Sequence, residues 1–197
     1  MSGCAPLPIV RMVRSGTLVR DGQIVKTASS TVSLIELGKH RIVVDSGAFD
    51  EREMLREAFE AMGVLVESVE VVVNTHLHRD HVGGNDLFEN ARLYAHELED
   101  PPIGTTRLSG EITLFPGVVV VPTPGHSKGS MSVFVEGRQR YALCGDALPT
   151  KGNYENHVPP FINIDPKLAL RSLDEIIAWA DVVIPGHDAL FEIQRKR

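Results

Sequence analysis

The sequence predicts two β-sheets packed face to face with helices on the outside, and three observations predict it. β-Branched runs fall in two blocks, each block is closed by an amphipathic helical stretch, and the clusters rich in histidine and aspartate sit directly after strands. No repeat, low-complexity tract or Pro/Ser-rich linker divides the chain, so residues 1–197 are expected to form one domain. A chain of this length buries roughly 70% of its unfolded surface, enough for one substantial core.

Taken in order, Ile9 to Val13, Thr17 to Arg20, Thr31 to Leu37 and Arg41 to Asp45 read as strands, separated by the turn pairs Asp21-Gly22 and Gly38-Lys39. Asp50, with Glu53 three residues on, has the form of a capping box. Met54, Leu55, Ala58, Phe59 and Met62 then recur at helical spacing up to Gly63, which predicts a helix packed by that face. Strands follow at Val69 to Asn74, Arg92 to Ala95, Val118 to Val121, Ser130 to Val135 and Arg140 to Cys144, the last two as a hairpin over Glu136-Gly137. Asp165 caps a second helix, Pro166 occupies its first turn where a missing N–H costs nothing, and Ala169, Leu173, Ile176 and Ala180 form its buried stripe. A last strand, Val182 to Ile184, ends at Pro185-Gly186.

With 26 acidic against 20 basic residues and a formal net charge of −6, no overall field draws the chain to phosphate backbones or anionic membranes. Cys4 and Cys144 are too few for a disulfide framework and fit a reducing cytoplasm. Met1 to Arg14 lacks the apolar stretch of a secretory signal, and no later run approaches the ~20 apolar residues that span a bilayer. The expectation is a soluble cytoplasmic protein with no membrane partner.

The chemistry gathers after the apolar run Val69 to Val73, in His76-Leu77-His78-Arg79-Asp80-His81 followed by Gly83-Gly84. Alternation puts His76 and His78 on one side of an extended segment, while Asp80 and His81 enter a turn that the glycines allow to bend sharply. Two ligands can face one ion and two its neighbour. A surface histidine cluster would have arbitrary spacing and need no further ligands at strand ends, yet three more candidates stand there: His126 in Pro124-Gly125-His126, Asp146 in Cys144-Gly145-Asp146, and His187 in Pro185-Gly186-His187. A lone loop histidine is weak evidence of a metal; five of the chain's eight histidines in such motifs are strong evidence.

The pattern His76-x-His78-x-Asp80-His81, then His126, Asp146 and His187, resembles the metallo-β-lactamase superfamily over about Thr31 to Phe191, and its ending is similar to the compact hydrolases of that superfamily. The resemblance implies a four-layer αββα sandwich with metals at one edge of the sheets. It also implies that His76, His78 and His126 hold one metal, that Asp80, His81 and His187 hold a second, and that Asp146 bridges them. Asp45, in Val43-Val44-Asp45, matches an aspartate that supports the ligands without touching metal. The chemistry expected is hydrolysis by a water shared and ionised by two divalent ions, with Asp80 or Asp146 orienting it and accepting its proton. The donors are nitrogen and oxygen only, which suits zinc first and also iron or manganese.

Substrate is less legible. The small domain and acidic charge favour a small-molecule carboxylic ester, thioester or lactone. Phosphodiester or RNA cleavage is the alternative, since a two-metal site can clamp a phosphoryl group and a compact branch of the superfamily is linked to RNA processing. A groove of Arg11, Arg14, Arg20, Lys26 and Arg107 would support it. A binding module that has lost hydrolysis is the least favoured reading. Ala147 to Asp165 reads as a long irregular segment and is the candidate pocket wall, with Lys151, Asn153, Tyr154 and His157 as the candidate substrate contacts. Lys128 and His40 are expected at the surface, and Cys144 as a small buried hydrophobe. The apolar segment Pro6 to Val13 is a candidate edge for a homodimer.

Overall fold

Valine and isoleucine occur here in continuous runs, as they do when strands are covered on both faces. The computed structural model describes residues 6–195. Its first half contains β1 (Ile9–Arg14), β2 (Thr17–Asp21), β3 (Ile24–Ser29), β4 (Val32–Leu37), β5 (His40–Val44), α1 (Arg52–Ala61), β6 (Val71–Val73), α2 (Arg79–Val82), β7 (Arg92–His96) and β8 (Thr106–Leu108). The second contains β9 (Ile112–Phe115), β10 (Val118–Pro122), β11 (Met131–Glu136), β12 (Arg140–Leu143), α3 (Lys151–Asn156), α4 (Pro166–Trp179), β13 (Val182–Ile184) and β14 (Phe191–Glu192). One six-stranded sheet runs β1-β4-β5-β6-β7-β8 and the other β14-β13-β12-β11-β10-β9, while β2 and β3 pair with each other as a separate hairpin.

Residue parity sorts the core into layers. Ile42 and Val44 of β5, Val71 and Val73 of β6, Val133 and Val135 of β11, and Ile184 of β13 fill the space between the sheets. The intervening Val43 and Val72 face Leu55 and Phe59 of α1. On the opposite side, Phe134, Ala142 and Val183 face Leu173 and Ile176 of α4. The order is helix, sheet, sheet, helix, the four-layer sandwich expected. Among the described residues no helix is long and apolar enough to cross a membrane.

Several local expectations are corrected. The capping box at Asp50 and Glu53 does not form: a 3₁₀ turn over Phe49–Glu51 precedes α1, whose N-cap is Glu51 with no side-chain cap. The Glu51 carboxylate is engaged elsewhere, accepting hydrogen bonds from Arg14 and Ser29. Met54 lies 49% exposed, so the buried stripe of α1 is Leu55 and Phe59. The strand after α1 is shorter than Val69 to Asn74 suggests, and Ala147 to Asp165 is not irregular throughout, since it coils into α3. The second helix is as expected, with the Asp165 carboxylate accepting from the Lys167 and Leu168 amides. Cys144 is buried, its thiol pushed up by that burial, and Cys4 lies outside the described residues.

Gly83 joins α2 to the segment after β5. Its amide donates to the Gly47 carbonyl at 2.8 Å, and a Cβ there would collide with the backbone of Ala48 and Phe49, which cannot swing aside. Overpacking of this kind costs about 1–3 kcal/mol. Gly83→Ala should therefore lower Tm by about 2–12 °C in scanning calorimetry with excess chelator, a condition that removes metal affinity from the reading. Gly152→Ala is the control: inside α3, its Cβ meets only Thr150 Oγ1 at 3.5 Å, and Tm should hold or rise slightly. Equal melting of the two variants would contradict the close approach.

Candidate metal centre

Five strands deliver their carboxyl ends to one edge of the sandwich. β5 and β6 are parallel, as are β12 and β13, and β10 runs with β12 because both are antiparallel to β11. Beyond those ends lie Asp45, the His76 to His81 segment, His126, Asp146 and His187. Two backbone hydrogen bonds stitch the loops of the two halves together, Met131 N–H to the Thr75 carbonyl at 2.8 Å and Thr31 N–H to the Gly186 carbonyl at 2.6 Å. Gly186 also keeps room for the Asp146 carboxylate, because a Cβ on it would strike Oδ1.

The side chains converge as three overlapping groups: His76, His78 and His126; His76, His81 and Asp146; and Asp80, His81 and His187. In the first, Nδ1 of His78 stands 3.0 Å from Nε2 of His76 and 3.0 Å from Nε2 of His126. Zinc bonds of about 2.0–2.1 Å place tetrahedral nitrogens only a little farther apart than this. Asp146 reaches both ends of the cluster. Its Oδ2 is 3.5 Å from His126 Nε2, and its Oδ1 is 3.1 Å from His187 Nε2 and 3.5 Å from His81 Nε2. Oδ2 of Asp80 completes the third group, 3.5 Å from His187 Nε2. His81 Nε2 and Asp146 Oδ1 are buried without a hydrogen-bond partner, and buried polar atoms are seldom left so unless something else satisfies them. A divalent cation fits that vacancy in bonding.

What lies behind the ligands fixes which nitrogen faces inward. His81 Nδ1 donates to Asp45 Oδ2 at 2.8 Å, His126 Nδ1 to the Ile162 carbonyl at 2.7 Å, and His187 Nδ1 to the Ser29 carbonyl at 2.9 Å. Each bond leaves the Nε2 lone pair aimed into the site. Asp45 also accepts from the Thr75 amide and hydroxyl, both at 2.8 Å, and holds a left-handed backbone with φ of 57° to do so. Burial pushes His76 well toward its neutral, ligating form and His126 in the same direction. Burial acts the same way on His81 and His187, but Asp45 and Asp146 outweigh it at His81, and Asp146 does so at His187, so both are raised. Burial would raise Asp146, yet the imidazoles of His187 and His81 hold its carboxyl well below the usual range. The cluster is arranged to receive positive charge.

The family model described as the metallo-beta-lactamase superfamily matches residues 26–100. A probable metallo-hydrolase of Methanocaldococcus jannaschii is 34% identical over 184 residues, which is 92% of this chain and 88% of that relative. The chain belongs to the metallo-β-lactamase superfamily. Within the superfamily it is also similar to mouse metallo-beta-lactamase domain-containing protein 1, at 35% identity over 85% of this chain and 66% of that protein. An N-acyl homoserine lactonase of Bacillus thuringiensis is 31% identical over 70% of this chain and 63% of its own length. An N-acyl homoserine lactone hydrolase with N-hexanoyl-L-homoserine at its catalytic metal centre shares the fold, with a TM-score of 0.73 at 22% identity over 93% of this chain and 94% of that one. With such relatives, the chain is a metal-dependent hydrolase.

A cavity of about 580 Å³ opens over the cluster, reaching His78, Asp80, His126, Asp146 and His187. Of the four candidate substrate contacts, Asn153 lines it and three do not: Lys151 pairs with Glu155, Tyr154 stacks on Phe191, and His157 pairs with Asp174. They turn away because α3 carries them round its axis. The walls come from Val158 to Asn163, inside the segment Ala147 to Asp165 expected to form them, and from the β2–β3 hairpin through Leu18, Arg20 and Val25; of these the sequence had marked Arg20 only as part of a basic groove, and Leu18 and Val25 not at all. The arginine groove does not exist. Arg11 and Arg14 lie on β1 and Arg107 on β8, at opposite edges of one sheet, and each pairs with a carboxylate. Glu99 also went unmarked, in an acidic run with no signal of its own. Its carboxylate accepts from the Leu77 amide at 3.2 Å, the Ser127 hydroxyl at 2.6 Å and the Gly129 amide at 2.8 Å, so it ties the His76–His78 loop to the His126 loop.

Asp45→Asn keeps the size of the side chain and tolerates the left-handed backbone, but removes the anionic acceptor behind His81. Metal held by Asp80, His81 and His187 should weaken by about 10–100-fold in chelator competition. Glu99→Ala should instead weaken metal at His76, His78 and His126. If both variants lost the same equivalent of metal, this division of support would be wrong.

Proposed function

We propose that the enzyme hydrolyses carboxylic esters, thioesters or lactones of small molecules with two divalent ions, zinc first among the candidates. His76, His78 and His126 hold one, Asp80, His81 and His187 the other, and Asp146 spans both. The observation that carries the reading is that Asp146 presents one oxygen to each group directly beneath the cavity. When bound, two such ions supply an ionised water as nucleophile at neutral pH and a Lewis acid for the substrate carbonyl.

The chain's own residues do the rest. Leu18, Val25, Val158, Phe161 and Ile162 give the cavity apolar walls that hold an acyl group and keep bulk water from it. Asn153 braces one wall, its amide donating to the carbonyls of Val158 and Pro159. Asp80, on the cavity floor, is placed to take the proton of the attacking oxygen and pass it to the leaving oxygen or sulfur. The free, buried thiol of Cys144 suits a reducing compartment such as the cytoplasm. Apolar walls favour acyl over phosphodiester substrates, as does the dispersal of the basic side chains.

Zinc- and manganese-loaded protein should hydrolyse a thioester or a lactone, and Asp146→Ala should return the rate to that of buffer. A rate confined to an activated phosphodiester would overturn the acyl reading.

A further inference from the structure

Arg20 is the one cationic side chain without a histidine ring in the cavity wall. Among the described residues no carboxylate pairs with it, whereas its neighbour on the hairpin, Lys26, pairs with Asp21 at 3.7 Å. Its guanidinium stands over the Phe161 ring, 4.9 Å from the centroid, which bridges the hairpin to the opposite wall. The hairpin is built to aim it inward. Leu18 faces Ala28 and Arg20 faces Val25 across the two strands, and these two pairs line the cavity. Between them the register shifts, with Lys26 as the extra residue. Leu18 and Arg20 share that face by the alternation of β2, and the bulge in β3 sets Val25 rather than Lys26 opposite Arg20, keeping Lys26 out of the cavity lining.

A guanidinium with free donors, stacked on an aromatic face in an otherwise apolar wall, is a receptor for a planar or tetrahedral oxyanion. We propose that the substrate carries a second, anionic group, a carboxylate or a phosphate, which Arg20 receives while the scissile acyl group lies at Asp80 and Asp146. The inference rests on the acyl-hydrolase reading for the position of the scissile bond. It narrows the substrate class from neutral esters or lactones to half-esters, half-thioesters and related acyl compounds with a charged end.

The test compares three esters of matched length on metal-loaded wild-type protein and Arg20→Gln: phenyl hydrogen glutarate, its neutral methyl ester, and a phenyl ester ending in a phosphate monoester. Loss of hydrogen bonds to a charged group should lower kcat/KM for an anionic ester about tenfold or more beyond any change with the neutral one, mainly through KM. Whichever anionic ester loses more identifies the group that Arg20 reads. Calorimetric titration with glutarate and with its monoamide, glutaramate, which carries no ester, gives a readout free of turnover: wild-type protein should prefer glutarate about tenfold, and the variant should not. Equal losses on charged and neutral esters, or a preference for glutarate that survives the substitution, would overturn the proposal. Hydrolysis of none of the esters, with the glutarate preference intact and dependent on Arg20, would sink the acyl reading and leave the anion site standing.

Discussion

The Asp45 carboxylate, 2% exposed and bonded to Thr75 and His81, is the interaction on which the rest of the site depends. A buried anion is tolerated only when its lone pairs are met, and Asp45 meets them with one backbone amide, one hydroxyl and one imidazole. Those three donors belong to the loop after β6, while Asp45 itself ends β5. Satisfying one charge thus fixes the path of the chain that carries His76, His78, Asp80 and His81. It also settles the tautomer of His81, and through the Thr75 hydroxyl, 3.2 Å from His76 Nδ1, it reaches a second ligand.

Such an arrangement trades folding stability against readiness. Five imidazoles and two carboxylates brought together at a sheet edge leave lone pairs unmet until positive charge arrives. The orphaned His81 Nε2 and Asp146 Oδ1 are where that tension is visible. The surrounding sandwich tolerates it because the strands that end there are pinned on both faces, by the inter-sheet core and by α1 or α4. Metal affinity and fold stability are for that reason linked quantities in this protein.

The legible parts of the sequence were the local ones. Each ligand follows its strand within a few residues, so His76, His126, Asp146 and His187 could be placed at one edge once the strands were seen. The strands themselves were plain where valine and isoleucine run unbroken, as in β10 and β13. β3 was not, because Lys26, Thr27 and Ser29 interrupt the pattern of a hairpin that covers no core. The capping box failed for a non-local reason, since the contacts of Glu51 come from Arg14 and Ser29, distant in the chain. The hairpin's share of the cavity wall escaped notice for the same cause: Leu18, Val25 and Ala28 join His126 and Phe161 around the cavity only through the fold. Lys151, Tyr154 and His157 looked suitable as polar residues after a ligand, but a turn of helix was enough to point them elsewhere.

The β2–β3 hairpin pairs with neither large sheet. Its base is fastened where His187 donates to the Ser29 carbonyl, while Val19 and Ile24 toward its tip are 55% and 60% exposed. One wall of the cavity is therefore made by a module outside the two sheets that align the candidate ligands. Lengthening, shortening or rewriting that module changes what the chamber accepts and leaves the ligand strands in register. A lineage can then exchange one clientele for another by editing a dozen residues near the amino terminus, with the chemical apparatus carried forward unchanged.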